Sequence, residues 1–278
     1  MNLSKLFERS EGNDFTTFPK TLDAYEGYKP VLIFIICAVI ALALSLIITV
    51  IMGMKHTNPV DSFVYTMLTV IALIPGLYIG TRLMYKIPFS TQIAPIKKWN
   101  WGLYFKSLII PLPIYAIFMG VEILTSGKSI VNNFTIITFL LCLTLPLLHG
   151  FAEEYLCRIF LMQSFGSWIK IPILAIIIQA AVFAAMHNYN MVAATSVFCT
   201  GLTYGLLTWY GQGIEAPSAM HAVNNMFVSI ALGLGLQGSA AGDSISELLV
   251  NIVLMVIPIV ILIVLDKKYD WGLKTDVN

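Results

Sequence analysis

The sequence predicts an all-α polytopic membrane protein with about eight transmembrane helices enclosing a polar intramembrane cavity. Three observations carry this reading. The 278 residues are 58% hydrophobic and 11% charged, whereas soluble domains carry about a quarter charged residues. The apolar residues are gathered into long runs, and a helix needs about 20 of them to cross a bilayer. Inside those runs stand a few ionisable side chains, which hydrocarbon tolerates only when they pair or line a wet cavity.

The elements follow in chain order. Residues 1–29 mix Lys5, Arg9, Lys20 and Lys29 with Glu8, Glu11, Asp14, Asp23 and Glu26, which predicts a solvated arm. It lacks the short apolar core and small-residue site of a cleaved leader. The first apolar run, Val31 to Met54, is long enough to span and should stay in the membrane. Further spans are expected at about 61–81, 104–125, 133–165, 171–187, 190–210, 215–236 and 247–265. The 133–165 run exceeds a bilayer's need, so it should tilt, kink near Pro146 or continue along the surface. Pro172 and Pro217 fall in first helical turns, where proline is tolerated. Gly201-Leu202-Thr203-Tyr204-Gly205 is a small-xxx-small pattern that lets two helices approach closely. Between the second and third spans, Lys97, Lys98, Trp99 and Trp101 suggest a loop at headgroup level, or else a lid over the substrate. Residues 30–266 are expected to form one eight-helix membrane domain, with its motif-bearing core at about 130–235 and a cytoplasmic tail at 267–278.

Basic residues set the orientation. Lys5, Arg9, Lys20, Lys29, Arg82, Lys86, Lys97, Lys98, Lys106, Lys170, Lys267, Lys268 and Lys274 fall on the side of the termini, against Lys55 and Lys128 on the other. The positive-inside bias places both termini in the cytoplasm of a multi-pass cell-membrane protein. A net charge of +1 gives no basic field, which argues against nucleic acid as a partner. Cys37, Cys142, Cys157 and Cys199 stand singly in apolar runs, and they read as unpaired packing residues rather than a disulfide, redox or metal set.

The chemistry centres on Glu153-Glu154-Tyr155-Leu156-Cys157-Arg158. Glu154 and Arg158, four apart, can pair on one helical face. Glu153 points about 100° away and is free to face something else. Phe183-Ala184-Ala185-Met186-His187 ends another span, and His221-Ala222-Val223-Asn224-Asn225 lies early in a third, with His221 and Asn225 on one face. Each group has a structural alternative, since membrane histidines and asparagines also bind helices together. Together they supply a base, imidazoles and an amide donor, the set that amide hydrolysis requires. His149 precedes Glu153 by four and shares its face, as a supporting candidate.

The ordered triple Glu153-Glu154-x-x-x-Arg158, Phe183-x-x-x-His187 and His221-x-x-x-Asn225 resembles the CPBP family, which unites type II CAAX prenyl endopeptidases with bacterial Abi proteins. The resemblance covers roughly residues 130–235. It implies an intramembrane glutamate-type endopeptidase in which Glu153 is the general base, helped by His187. His221 and Asn225 would stabilise the oxyanion, and Glu154 and Arg158 would support. The implied substrate is a membrane-associated peptide or protein, in peptide maturation or bacteriocin self-immunity. Neither cofactor nor metal is expected, because no His-Glu-x-x-His motif is present. Three alternatives stay open: a non-enzymatic immunity or binding protein, a small transporter, and a zinc protease using Glu153, His187 and His221. The cavity is expected to open toward the cytoplasm, because Glu153 and His221 fall in the inner halves of their spans. His187 stands about 24 Å along its helix at 1.5 Å per residue, nearer the outer face, so that helix is expected to start before residue 171 or else to be tilted or displaced.

Overall fold

A computed structural model describes residues 3–10, 12, 14–53, 58–236 and 244–274. Lys55, Glu11 and the loop around Gly242, which bear on the charge count and the α-helical connections, lie outside the described residues. Among those described the chain is helical throughout and holds no strand.

Helix α1 (Lys29–Met52) is apolar on all sides. Val31, Phe34, Val39, Leu46 and Val50 are exposed, whereas Ile33, Cys37 and Ala41 form a buried face at four-residue spacing. That face meets α3 (Leu73–Tyr85), where Gly76 and Gly80 bring the backbones together: a Cβ on Gly76 would lie 2.8 Å from the Cys37 carbonyl oxygen. This small-residue seam anchors the first helix. Helix α2 (Pro59–Ile71) is joined to α3 through Ala72, and Pro75 supplies no N–H at the break. Pro111 interrupts the next span in the same way, between α5 (Trp101–Ile109) and α6 (Pro111–Thr125).

The 82–106 segment folds back onto the bundle. Its short helix α4 (Phe89–Ile93) sets Phe89 against Phe151 and Tyr155, with ring centroids 6.3 and 6.0 Å apart, and Trp99 lies 6.0 Å from Phe151. Tyr155 donates its hydroxyl proton to Gln92. Lys97 sits 3.8 Å from the buried Glu215 carboxylate, and burial pulls its pKa below the ordinary lysine range while Glu215 opposes the shift. Much of the segment is therefore packed against the bundle, while Lys98 and Trp101, the latter 62% exposed, keep the headgroup-level character expected of it.

The long span opens with a Thr135–Thr138 capping box and runs as α7 (Ile136–Glu154), a π-helical stretch (Tyr155–Met162) and α8 (Gln163–Ile169). The helix continues through Pro146, and the departure from α geometry comes at Tyr155–Met162. π-Helical insertions often occur at functional sites. Helix α9 (Pro172–Ala185) then forms a hairpin with α10 (Met191–Gly211), whose Gly201 and Gly205 press on Ala180 and Gln179 as the spacing predicts. Helices α11 (Glu215–Gly233) and α12 (Ile245–Tyr269) complete the bundle.

Helices occupy all eight predicted places, but among the described residues six spans are long and apolar enough to cross a membrane. Helix α9 has 14 residues, about 21 Å at 1.5 Å per residue, short of the hydrocarbon core. Helix α11 carries His221, Asn224 and Asn225 and buries most of its surface inside the protein.

The N-terminal arm departs from the solvated expectation. Residues Phe15–Thr21 form a 3₁₀ turn in which Phe15, Thr16 and Thr17 are fully buried. Asp14 accepts a hydrogen bond from Trp209 Nε1 at 2.6 Å, and Phe15 N–H donates to Gln212 Oε1 at 3.1 Å. The tail docks at the same end: Leu273 N–H donates to Asp266 Oδ1 at 2.9 Å, and Asn100 Nδ2 donates to the Trp271 carbonyl at 3.1 Å. That end of the bundle is closed. At the other end, Val131 and Asn133 N–H donate to the Leu234 and Gly233 carbonyls, tying the α6–α7 connection to the end of α11.

Candidate active site

Helices α7 and α11 approach closely because position 150 is glycine; a Cβ there would lie 2.8 Å from the Ala222 nitrogen. This contact brings Glu153 and Glu154 against His221. The imidazole lies between the two carboxylates, with Nδ1 2.8 Å from Glu154 Oε1 and Nε2 3.1 Å from Glu153 Oε2. A neutral ring carries one N–H, so both contacts are hydrogen bonds only in the imidazolium form.

Glu154 Oε1 also accepts from Arg158 Nη1 at 2.9 Å, and both residues are fully buried. Arg158 Nη2 donates to the Gly201 carbonyl at 3.2 Å, and its guanidinium lies over the rings of Phe183 and Tyr204. The i,i+4 pairing read from the sequence is present. It does not isolate Glu154 from the site, since His221 links the two glutamates. With His221 as the imidazolium, its charge and that of Arg158 balance the two carboxylates, and buried charges require such pairing.

Glu153 faces three imidazoles. Besides His221, His149 Nδ1 lies 3.4 Å from Oε2 and His187 Nε2 lies 4.0 Å from Oε1. His187 follows the end of α9, and its Nδ1 is 2.8 Å from the Phe183 carbonyl. A proton on Nδ1 donates to that carbonyl, so the neutral ring turns a bare Nε2 toward Glu153. Depth is settled by the long span. Helix α9 does begin at Pro172, so the earlier start is not needed. Glu153 stands 16 residues before Ile169 and 17 after Ile136, near the middle of its span and in contact with His187.

Asn225 Nδ2 donates to His149 Nδ1 at 2.8 Å, and Asn225 Oδ1 accepts from Asn224 Nδ2 at 3.3 Å. Asn224 Oδ1 accepts from the Tyr115 hydroxyl at 3.1 Å. All seven residues singled out from the sequence thus fall in one cluster, and His149 stands as near Glu153 as His187 does. Sequence reasoning missed Asn224, whose signal was only adjacency to Asn225, and Tyr115, which α6 brings from a span that showed no motif. Tyr189, with its ring 5.3 Å from His187, and Tyr204, 5.6 Å from His221, were also unmarked.

Beside the cluster lies a cavity of about 460 Å³, bounded by Glu153, His187, His221 and Asn225 on one side and by Phe63 and Phe118 on others. Its exposed lining residues, Lys128, Met186, Tyr189 and Glu247, lie at the end away from the two termini. The expected opening on the side of the termini is therefore reversed. On the side of the termini, Phe89 packs on Tyr155 and Trp99 on Phe151.

Fold and site define the class: a multi-pass α-helical membrane protein with a buried carboxylate–imidazole centre beside an internal cavity. Residues 135–227, which hold all three motifs, match the family of type II CAAX prenyl endopeptidase Rce1-like proteins. The chain is also 29% identical over 167 residues to the uncharacterized protein YyaK of Bacillus subtilis (strain 168), a match covering 56% of each chain. The similarity thus spans little more than half the length of that relative. No solved structure matches.

Proposed function

We propose that this chain is an intramembrane endopeptidase that hydrolyses a peptide bond in a membrane-associated peptide or protein, with Glu153 activating water. The single observation that carries the reading is one carboxylate faced by three imidazoles within 4.0 Å at the wall of a cavity. A water between Glu153 Oε1 and His187 Nε2 gives its proton to Glu153 as its oxygen attacks the carbonyl carbon. The oxyanion is stabilised by the His221 imidazolium and by the second amide proton of Asn225. The proton then passes from Glu153 to the leaving amine as the C–N bond breaks. Glu154 and Arg158 hold the charge and orientation of His221. His149 and Asn225 hold one another.

The metal-free form of the mechanism is favoured by the occupancy of the ring nitrogens. His221 has both directed at carboxylates, and His149 Nδ1 accepts from Asn225. Among the described residues no group of three or more His, Cys, Asp or Glu is arranged to hold a metal ion. The physiological setting we assign is peptide maturation or bacteriocin self-immunity. The test is Glu153→Gln, compared with the unaltered chain on membrane peptides by mass spectrometry of products. Cleavage should stop while the protein still accumulates in the membrane. Undiminished cleavage, or an immunity phenotype retained in full, would transfer the chain to the binding or transport class.

A further inference from the structure

We infer that the substrate reaches this site from the extracytoplasmic side of the membrane. The inference rests on the protease reading above and adds the direction from which the cleaved segment comes.

Two independent observations combine. The first is the shape of the cavity. Its deep wall is made of buried groups, His221, Asn225 and Tyr204, and its outer residues are exposed: Lys128, Ser246, Glu247, Tyr189 and Met186, the last 55% exposed. These belong to the α6–α7 connection, the start of α12 and the turn after α9. That turn follows the 14-residue helix α9. Helix α9 ends at the level of Glu153, whereas α7 continues for 17 residues beyond it to Ile136, about 25 Å more at 1.5 Å per residue. The opposite end is sealed by Phe89 and Trp99 on Phe151, by the Lys97–Glu215 pair, and by the N-terminal arm on Trp209.

The second observation is the distribution of charge. Lys5, Arg9, Lys20, Lys29, Arg82, Lys86, Lys97, Lys98, Lys106, Lys170, Lys267, Lys268 and Lys274 all gather at the sealed end. At the open end, among the described residues, Lys128 is the sole lysine or arginine. Basic residues are retained on the cytoplasmic side, so the open end is extracytoplasmic. This conclusion does not depend on whether α9 and α11 count as spans, because it compares two ends of one bundle. A cavity with Phe63, Phe118 and Val250 along its walls and polar groups at its rim suits an extended peptide segment presented from the outer leaflet.

The experiment uses the full chain in intact bacterial cells and a sulfonated, membrane-impermeant maleimide. Ser246→Cys, on the rim, should be labelled in intact cells, and Lys98→Cys, on the sealed end, only after permeabilisation. Val250→Cys, one turn deeper on α12, should also label from outside, and its modification should lower cleavage of a membrane peptide at least tenfold. Labelling of Lys98→Cys but not Ser246→Cys in intact cells would overturn the inference. So would outside labelling of Val250→Cys that leaves cleavage unchanged. Either outcome leaves the protease reading intact as long as Glu153→Gln abolishes cleavage, so the two claims fail separately.

Discussion

At the scale of single residues, the site is governed by how one imidazole is shared. His221 touches both glutamates, and Glu154 alone also holds Arg158. Removing the charge of Glu154 therefore strands a fully buried guanidinium, and breaking such a pair costs about 3–5 kcal/mol. Glu154→Gln should lower the unfolding temperature in detergent markedly, while the fraction still folded keeps more turnover than Glu153→Gln does. A Glu154→Gln protein that is inactive yet as stable as the unaltered chain, alongside an active Glu153→Gln, would exchange the two roles. The same occupancy of ring nitrogens predicts the response to chelation. Purified protein should retain its cleavage rate after exhaustive treatment with strong zinc chelators. Loss of activity restored by zinc alone would convert Glu153, His187 and His221 into ligands, with an open position of the kind catalytic zinc keeps.

At the scale of elements, two contacts position the helices that bear these residues. Gly150 lets α7 lie on α11, and an added Cβ would meet backbone rather than a movable side chain. Overpacking of this kind costs about 1–3 kcal/mol. Gly150→Ala should therefore lose stability and, by shifting His221 away from Glu153, lose turnover in the folded fraction as well. Thermal unfolding followed by a cleavage assay separates these two effects. The second contact is the arm. Asp14→Ala leaves the buried Trp209 Nε1 without its acceptor, at about 1–3 kcal/mol. Limited proteolysis should then cut within residues 3–21 faster than in the unaltered chain. Cleavage of substrate should persist, because the arm lies at the sealed end, away from the cavity. Unchanged proteolysis would mean that Trp209 does not hold the arm.

At the scale of the whole molecule, the bundle is polar in two senses. Charge gathers at one end and the cavity opens at the other. An exported phosphatase reporter inserted after Lys128 should be active, and the same reporter fused at the C-terminus should be silent. Activity of the C-terminal fusion would invert the bundle in the membrane and place the cavity mouth in the cytoplasm. The count of spans matters less to function than the length of α9. A hairpin that stops at mid-depth sets His187 beside Glu153, at the wall of the cavity.

By itself the sequence determined the helical membrane class, since composition and run length report burial in hydrocarbon directly. The seven residues it singled out also meet in one cluster, although Asn224 and Tyr115 beside them carried no signal. Charges and imidazoles in apolar runs are costly, and few positions keep them, so the candidate set is small and visible. Helical spacing carried the Glu154–Arg158 pair for the same reason, because i,i+4 geometry is local. The rest depended on contacts between segments far apart in the chain. His221 linking both glutamates, Asn225 bound to His149, and Tyr115 supporting Asn224 are distances between helices, and periodicity within one helix says nothing about them. The arm read as solvated because its charges were counted, but Phe15, Thr16 and Thr17 bury themselves against the bundle. The direction of the cavity was likewise a tertiary matter. It follows from where α9 stops relative to α7 and from what fills the opposite end, and only packing decides both.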